Sequence, residues 1–345
     1  MTRPDVTVLG AGIFGLSVAW ACARRGARVQ LIDPAGPGAG CSGGLVGALA
    51  PHVPEAWNEL KAFQFDSLLM AGGFWAEVAQ VSGISPGYAR LGRLQPIADA
   101  DALALARARA ESARGLWRGE ARWEVVETPR QGWAPVSPSG WLIRDTLSAR
   151  LNPRRACASL AAALETRGAR LLRAGTPQGL VVHATGVAGL QELSRALGRM
   201  VGGPVKGQAA LLHLAAPDRP QIHADGILIV PHADGTVAVG STSEREFDDP
   251  ARTDARLDEV ITRATRLLPV LHGARVVERW AGLRPRARSR APMLGEHPLR
   301  PGEFIANGGF KTGFGMAPKV GEAMADLLLE GRDTIPARLR PEASL

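Results

Sequence analysis

Short apolar runs and a glycine-rich turn alternate at the start of the chain. Val6–Leu9 and Val29–Ile32 are apolar segments with the length of buried strands. Residues 13–25, between them, have a helical pattern that ends at Gly26. The sequence therefore predicts a strand, a turn, a helix and a second strand at the start of the chain.

The same patterning predicts the elements of the remaining chain. Helices are predicted over 57–81, 101–117, 154–165 and 252–268, and from the loop at 308–318 to residue 329. Strands are predicted over 91–97, 169–172, 179–184, 208–214, 227–231, 237–241, 276–282 and 304–307. The strands between 208 and 241 should pair antiparallel. The Trp- and Pro-rich segment 123–141 is predicted to be irregular, and Pro318 is expected in the first turn of the last helix.

The first turn has the glycine spacing of a dinucleotide-binding site. Gly10, Gly12 and Gly15 form a GxGxxG pattern directly after a predicted strand and before a predicted helix. In such a turn the first glycine makes the tight turn, the second lets a pyrophosphate approach the backbone, and the third lets helix and strand pack closely. The helix N-terminus offers amide donors to the pyrophosphate, and Asp33 can accept hydrogen bonds from a ribose diol. Together these features predict dinucleotide binding.

Length and composition limit the classes of protein. The chain of 345 residues is long enough for one large or two ordinary domains. It has no apolar run long enough to span a bilayer, and residues 1–5 lack the apolar core of a signal peptide. Cys22, Cys41 and Cys157 stand at unrelated spacings, which argues against a disulfide scaffold and a zinc site. We therefore expect no metal, no membrane span and a reduced, cytoplasmic location.

The net charge of +8 comes from an arginine-rich composition. The lysines are Lys61, Lys206, Lys311 and Lys319, and the other basic residues are arginines spread along the chain. Such a charge can attract anionic ligands or nucleic acid. Because the basic residues form no dense block and alternate with no aromatic residues, nucleic acid is an unexpected partner. A compositional preference for arginine explains the charge better.

Three further segments are rich in glycine or other small residues, so that a ligand could lie close to their backbone. Residues 36–51 contain six glycines, a predicted strand ends in Ala184-Thr185-Gly186, and residues 308–318 form a glycine-rich loop before a helix. Beyond Gly10, Gly12, Gly15 and Asp33, the candidate cofactor-binding residues are Ile13, Phe14, Pro34, Cys41, Ser42, Gly43, Gly44, Leu45, Pro177, Ala184, Thr185, Gly186, Gly309, Phe310, Lys311, Thr312, Gly313, Phe314 and Gly315.

At these motifs the sequence resembles the D-amino-acid-oxidase-like family of FAD-dependent oxidoreductases, and within it the thiamine-pathway glycine oxidases. The resemblance covers nearly the whole chain. Besides the first turn and its acid, the motifs that carry it are Ser42-Gly43-Gly44, Pro204-Val205-Lys206-Gly207-Gln208, Ile229-Val230-Pro231, Gly240-Ser241-Thr242, Ala281-Gly282-Leu283-Arg284-Pro285 and the loop 309–318.

The resemblance implies an α/β protein with a Rossmann-like FAD-binding domain and an α+β substrate domain that contains an antiparallel sheet. We place the FAD-binding domain at 1–80, 140–200 and 275–345, and the substrate domain at 81–139 and 201–274. The loop at 308–318 could hold the negative charge of a reduced flavin ring. Cys41 could form a thioether to the flavin, but a small buried residue beside a non-covalent cofactor is the simpler expectation.

The resemblance also assigns two catalytic residues. Arg284 matches the arginine that pairs with the substrate carboxylate, although an arginine that caps a backbone carbonyl is an alternative. Lys311 stands where glycine oxidases tend to have a second arginine, and it keeps the charge without the bidentate fork.

Two positions depart from the family pattern and leave the substrate open. Leu228 stands where the family has a pocket tyrosine, and Gly226 where it has a pocket histidine. His223 and His232 flank this strand, and either could face the pocket or have only a structural role.

The expected activity is oxidation of the Cα–N bond of a small amino acid (glycine, sarcosine or a D-amino acid) to an imine by hydride transfer to FAD. Molecular oxygen or another acceptor would reoxidise the cofactor, and a quinone would make the protein a D-amino-acid dehydrogenase. Another alternative is oxidation of a carboxymethylamino group on tRNA uridine, although the methyltransferase domain that usually accompanies that activity is absent. A flavin-fold binding protein without activity is the remaining alternative. The sequence does not predict the oligomeric state.

Overall fold

The structure, a computed structural model, describes residues 3–345. The helices are α1 (Ile13–Arg24), α2 (Glu59–Ser82), α3 (Ala100–Leu116), α4 (Pro153–Thr166), α5 (Gly186–Ala196), α6 (Ala255–Leu267) and α7 (Gly313–Glu330). The strands are β1 (Val6–Leu9), β2 (Val29–Ile32), β3 (Ala48–Leu49), β4 (Arg93–Pro96), β5 (Trp123–Glu127), β6 (Trp141–Asp145), β7 (Ala149–Arg150), β8 (Arg170–Leu172), β9 (Leu180–His183), β10 (Gly202–His213), β11 (Gln221–Ala224), β12 (Ile227–Pro231), β13 (Thr236–Gly240), β14 (Val276–Ala287), β15 (Met293–Glu296) and β16 (Phe304–Asn307).

A six-stranded sheet confirms the predicted unit at the start of the chain. Its order is β15-β16-β9-β1-β2-β8, and all neighbouring strands are parallel except β15 and β16. The helix α1 connects the parallel neighbours β1 and β2. Ligands bind such sheets beyond the carboxyl ends of the strands.

The helix α1 is held in the core by close packing against the last helix. Every residue of α1 except Arg24 is buried, including Trp20 with no exposed surface. A Cβ on Gly321 of α7 would stand 2.6 Å from the carbonyl oxygen of Ser17, so glycine lets the two helices approach closely. This packing fixes the N-terminus of α1 beside the carboxyl end of β1. No helix within residues 3–345 is long and apolar enough to cross a membrane.

The second sheet has eight strands in the order β14-β10-β13-β12-β11-β4-β6-β5. Its neighbours are antiparallel except β11 and β4, which are parallel. The antiparallel pairing predicted between 208 and 241 is confirmed in β10, β12 and β13. The α/β class with an additional antiparallel sheet is therefore confirmed, whereas the domain boundaries stay predictions.

Two sequence predictions about local structure were wrong. Residues 123–141 are not irregular throughout, because Trp123–Glu127 pairs antiparallel with Trp141–Asp145 as an edge strand. The apolar and β-branched residues of this short segment outweigh the prolines that flank it. Pro318 is the sixth residue of α7 rather than a first-turn residue, since the helix already begins at Gly313.

The strand β14 also extends further than the pattern predicts. It continues past 282 to Ala287 and includes Pro285, which pairs with Pro204 of β10. Proline is tolerated here because β14 is the edge strand of the sheet. The extension places Arg284 and Arg286 on the same face of one strand, since side chains two residues apart point to the same side.

Candidate active site

A cavity of about 970 Å³ lies between the two sheets. The carboxyl ends of the parallel strands and the N-terminus of α1 line one side of it, and residues of β12 and β14 line the other. A parallel sheet places its strand ends together, so residues from Gly10 to Phe314 meet here although they are far apart in sequence.

The first turn has the geometry that the glycine spacing predicts. Gly10 has a φ of +103°, and a Cβ on it would stand 2.3 Å from the carbonyl oxygen of Ala184. A Cβ on Gly15 would stand 1.9 Å from the carbonyl oxygen of Gly10. Glycine at both positions therefore lets β1, α1 and the end of β9 pack in contact. Gly15 acts through this packing and does not line the cavity.

Asp33 and Ser42 organise the backbone around this turn. One carboxylate oxygen of Asp33 accepts a hydrogen bond from the amide of Ala11 (2.7 Å), and the other accepts from the amides of Ala35 (2.9 Å) and Gly36 (3.1 Å). The Ser42 hydroxyl accepts from the amide of Ile13 (2.9 Å), the first residue of α1. Ser42 therefore caps the helix from the glycine-rich loop.

Most of the predicted cofactor-binding residues meet at the cavity. Those that line it are Gly10, Gly12, Ile13, Phe14, Asp33, Pro34, Cys41, Ser42, Gly44, Leu45, Ala184, Thr185, Gly186, Gly309, Phe310, Lys311, Gly313 and Phe314. Gly15, Gly43, Pro177, Thr312 and Gly315 do not line it, and Pro177 is exposed between β8 and β9. Gly43 instead packs on the loop, where a Cβ would stand 2.4 Å from the carbonyl oxygen of Gly38.

The loop before α7 is docked against the edge strand of the second sheet. The Phe310 amide donates to the carbonyl oxygen of Pro285 (3.1 Å), and Gly309 forms an isolated antiparallel bridge with Arg286. A Cβ on Gly309 would stand 2.9 Å from the Phe14 ring. These contacts bring the loop, the start of α1 and β14 together at one end of the cavity.

Arg284 enters the cavity without a carboxylate partner. Its guanidinium donates to the Ser241 hydroxyl (2.6 Å) and to the carbonyl oxygen of Thr242 (3.2 Å), and no acidic side chain of residues 3–345 pairs with it. Burial lowers the pKa of Arg284 below its ordinary value, and the nearby Glu244 opposes this shift. The carbonyl contact matches the alternative in which Arg284 caps a backbone carbonyl. A carbonyl and a hydroxyl, however, leave this half-buried cation without an anion among residues 3–345.

A buried polar network lies behind Arg284. Glu244 accepts hydrogen bonds from the Thr242 hydroxyl and from Gln208 Nε2 (2.9 Å), and Lys206 Nζ lies 3.8 Å from its carboxylate. Lys206 and Glu244 are both buried. Because the carbonyl of Thr242 also receives the Arg284 guanidinium, this network holds the segment that positions the arginine.

The opposite wall of the cavity contains His223 and Leu228, which are cross-strand neighbours in β11 and β12. Burial, with further contributions from Arg93 and Lys311, lowers the pKa of His223 to about 4. At neutral pH the imidazole is therefore uncharged. Gly226 also lines the cavity, and a Cβ there would meet no atom within 4 Å. This wall therefore offers the apolar side chain of Leu228 and open space beside Gly226.

His232 does not line the cavity. It is 1% exposed, and neither ring nitrogen has a hydrogen-bond partner within the described chain. The structure thus separates two histidines that sequence reasoning left equivalent.

Several residues of the site were missed by sequence reasoning. Trp280 lines the cavity four residues before Arg284 on the same strand, and a Cβ on Gly44 would stand 3.2 Å from its ring. The even spacing of Trp280 and Arg284 within a predicted strand is a signal that could have found it. Ser241, in the motif Gly240-Ser241-Thr242, has the hydroxyl group that orients Arg284. Among residues 3–345, no group of His, Cys, Asp and Glu side chains is arranged to hold a metal ion.

These features fit a bound dinucleotide. Such a cofactor needs a helix N-terminus, a carboxylate at the end of β2, and a turn of glycines in which added Cβ atoms would clash. With the second sheet lining the same cavity, the fold and the site define a dinucleotide-binding protein of two sheets.

Comparison with known proteins identifies the family. A family model described as FAD dependent oxidoreductase (DAO) matches residues 5–327, so the chain belongs to the DAO family and uses FAD as its cofactor. The glycine oxidase of Geobacillus kaustophilus is 25% identical over 94% of this chain and 93% of its own length. A putative thiamine biosynthesis oxidoreductase ThiO from Rhizobium etli is 30% identical over 94% of this chain and 97% of its own length.

A solved structure has the same fold. The crystal structure of the glycine oxidase from Geobacillus kaustophilus superposes with a TM-score of 0.84 and covers 99% of this chain and 98% of its own, at 22% identity. The expected family, fold and cofactor are therefore confirmed, as is the expectation that this chain is an enzyme.

Proposed function

We propose that this chain oxidises the Cα–N bond of a small amino acid, such as glycine, sarcosine or a D-amino acid, to an imine. The observation that carries the proposal is Arg284, a half-buried arginine whose guanidinium lies in the cavity without an acidic partner among residues 3–345. Its planar fork can hold a carboxylate by two parallel hydrogen bonds. The glycine oxidase named above, a relative whose name states an amino-acid substrate, supports the same substrate class.

The residues of this chain bind and orient the substrate. Arg284 would hold the carboxylate, and the hydroxyl of Ser241 would keep the guanidinium in place. His223, uncharged because burial lowers its pKa to about 4, and Leu228 would leave the amine in a poorly solvated environment that favours its neutral form. The Cα–H bond breaks with its electron pair while the nitrogen lone pair forms the C=N bond.

FAD, when bound, accepts the two electrons and the hydrogen of the Cα–H bond. Gly10, Gly12 and the N-terminus of α1 would hold its pyrophosphate, and Asp33 its ribose. Orientation and electrostatics are the contribution of the protein, while the redox chemistry belongs to the cofactor. We propose molecular oxygen as the final acceptor, with a quinone as the alternative.

An anaerobic screen of flavin absorbance tests this proposal. Glycine, sarcosine, proline and several D-amino acids are added in turn to the oxidised holoenzyme without oxygen. We expect the visible flavin absorbance to bleach with at least one of them, and oxygen to restore it if the protein is an oxidase. If no amine that carries a carboxylate bleaches the flavin, the proposed function is wrong.

A further inference from the structure

Two cations share one aromatic ring beside the cavity. The guanidinium carbon of Arg286 lies 5.7 Å and Lys311 Nζ lies 5.6 Å from the centroid of the Phe310 ring. Within residues 3–345 neither cation forms a salt bridge or a side-chain hydrogen bond. We call Arg286, Phe310 and Lys311 the second cationic group, to distinguish it from Arg284.

The backbone builds this arrangement. Arg286 forms an antiparallel β-bridge with Gly309, and the amide of Phe310 donates to the carbonyl oxygen of Pro285. These two contacts join the loop before α7 to the strand β14. Phe310 has a φ of +43°, in the left-handed region that residues with side chains seldom adopt. Such backbone conformations persist only where the surroundings impose them, and they concentrate at functional sites. The fixed backbone therefore holds the ring within reach of both cations.

The second cationic group lies next to the arginine that holds the carboxylate. Arg286 is two residues beyond Arg284 on the same face of β14, a separation of about 7 Å along the strand. Lys311 and Phe310 line the cavity together with Arg284. Arg286 is half-buried beside Phe310 and does not itself line the cavity. Burial lowers the pKa of Lys311 from its ordinary value of 10.5, and both Arg284 and Arg286 act in the same direction.

This end of the cavity has an excess of positive charge. Three cations converge here, and none of them pairs with an acidic side chain within the described residues. A substrate with a single carboxylate would neutralise only one of them. Like charges repel, and a second anion that binds both Arg286 and Lys311 would reduce that repulsion.

We propose that the substrate is a small dianionic amine whose second acidic group binds Arg286 and Lys311 while its α-carboxylate binds Arg284. The separation of about 7 Å along the strand suits two acidic groups that are four or five bonds apart. N-carboxymethyl amino acids and acidic amino acids have this chemistry. The proposal rests on the proposed function and specifies the substrate class of the same site.

Binding of unreactive anions tests the proposal without turnover. Glutarate has two carboxylates four bonds apart, and butyrate has one carboxylate on a similar chain. Each is titrated into the oxidised holoenzyme at constant ionic strength, and the change in the flavin spectrum gives its Kd. We expect glutarate to bind at least tenfold more tightly than butyrate. Arg286→Gln and Lys311→Gln should each weaken glutarate at least fivefold, and Arg286→Gln should leave butyrate within twofold.

Two further variants keep the test sharp. Arg286→Lys retains the charge and should keep the preference for glutarate. Arg288→Gln is the matched control, because Arg288 is an exposed arginine beyond the end of β14 that contacts the carbonyl oxygen of Leu345. Equal binding of glutarate and butyrate by the wild type would overturn the proposal. So would an Arg286→Gln variant that weakens both anions equally, since Arg286 would then be structural.

Turnover separates this inference from the proposed function. We expect kcat/KM for iminodiacetate to exceed that for sarcosine, and Arg286→Gln to remove most of the difference. If sarcosine and glycine are oxidised as well as iminodiacetate, only the dianionic substrate class is wrong. If none of these amines is oxidised, the proposed function itself fails.

Discussion

The guanidinium of Arg284 lies directly over Gly207. A Cβ on Gly207 would stand 1.9 Å from Arg284 Nη2 and 2.2 Å from its guanidinium carbon. Gly207 belongs to β10, which pairs antiparallel with β14, and it stands opposite Gly282. The missing side chain leaves the space in which the arginine crosses the sheet to reach Ser241. A glycine on a neighbouring strand thus determines where the proposed carboxylate ligand points.

Replacing this glycine should impair catalysis and leave the fold intact. In Gly207→Ala the methyl group must displace the guanidinium, which can move because it ends a flexible side chain. We expect kcat/KM to fall at least tenfold, about 1.4 kcal/mol of transition-state stabilisation, with little change in Tm or FAD content. Gly203→Ala is the matched control, since a Cβ at this position on the same strand would meet no atom within 4 Å. Wild-type kinetics for Gly207→Ala would show that the observed pose of Arg284 is unimportant.

Removing the guanidinium should abolish most turnover. Arg284→Ala should retain FAD and fold but lose roughly 2–5 kcal/mol of transition-state binding, the range for truncating one member of a buried charge pair. Arg284→Lys should recover only part of this, because a point charge cannot impose the bidentate orientation. Steady-state kinetics with a substrate that bleaches the wild-type flavin measures both, with Arg288→Ala as the control. The assignment fails if Arg284→Ala keeps wild-type kcat/KM.

Loss of the carboxylate of Asp33 should weaken FAD binding. We expect Asp33→Ala to lose hydrogen bonds to the ribose, each worth roughly 1.5–3 kcal/mol for a charged acceptor. Since Asp33 also accepts from three backbone amides, the apoprotein should be destabilised as well. Titration of apoprotein with FAD by fluorescence measures the first effect, and the Tm of the apoprotein measures the second. A destabilised apoprotein with unchanged FAD affinity would assign Asp33 a structural role alone.

FAD should be held without a covalent bond. Cys41 lines the cavity, but burial raises the pKa of its thiol, although Arg284 opposes the shift. A protonated thiol is a poor nucleophile, so a thioether is not expected at this position. Acid precipitation should leave all the flavin in the supernatant. Flavin in the pellet would contradict the prediction, and its disappearance in Cys41→Ser would identify the attachment site.

Acidification should destabilise the fold through His232. Burial lowers the pKa of this histidine from 6.5 to about 4, with Arg150 acting in the same direction and Asp234 opposing it. Between these values the unfolded state binds a proton that the folded state does not, so stability falls as pH decreases from about 6.5 to about 4 and is unaffected by this group above that range. The expected loss at pH 5 is about 2 kcal/mol.

Thermal unfolding of the holoenzyme at pH 7 and pH 5 measures this effect. His232→Leu should lose less stability than the wild type between the two values, because it has no proton to bind at this position. His223 and His297, whose pKa values burial also lowers to about 4, contribute to the same dependence in both proteins. His272→Leu, at an exposed position, is the control. An unchanged difference between pH 7 and pH 5 in His232→Leu would refute the assignment.

The amino-acid sequence by itself determined the class of fold and the end of the site that faces the cofactor. The glycines of the first turn, Asp33 and the α1 pattern are close in sequence, and their roles depend on local backbone geometry. Gly10 and Gly15 therefore have the conformation and packing that their spacing predicts. Motifs that depend on short-range geometry can be predicted before the tertiary structure is known.

Only the tertiary structure decided which side chains line the cavity opposite the first turn. His223 and His232 flank the same strand, and the register of β11 against β12 brings His223 to the cavity while His232 is enclosed in the protein. Likewise, the passage of Arg284 over Gly207 and the meeting of Arg286 with Lys311 at Phe310 depend on contacts between segments distant in the chain. Sheet register and loop docking are long-range properties, and local hydrophobic patterns do not specify them.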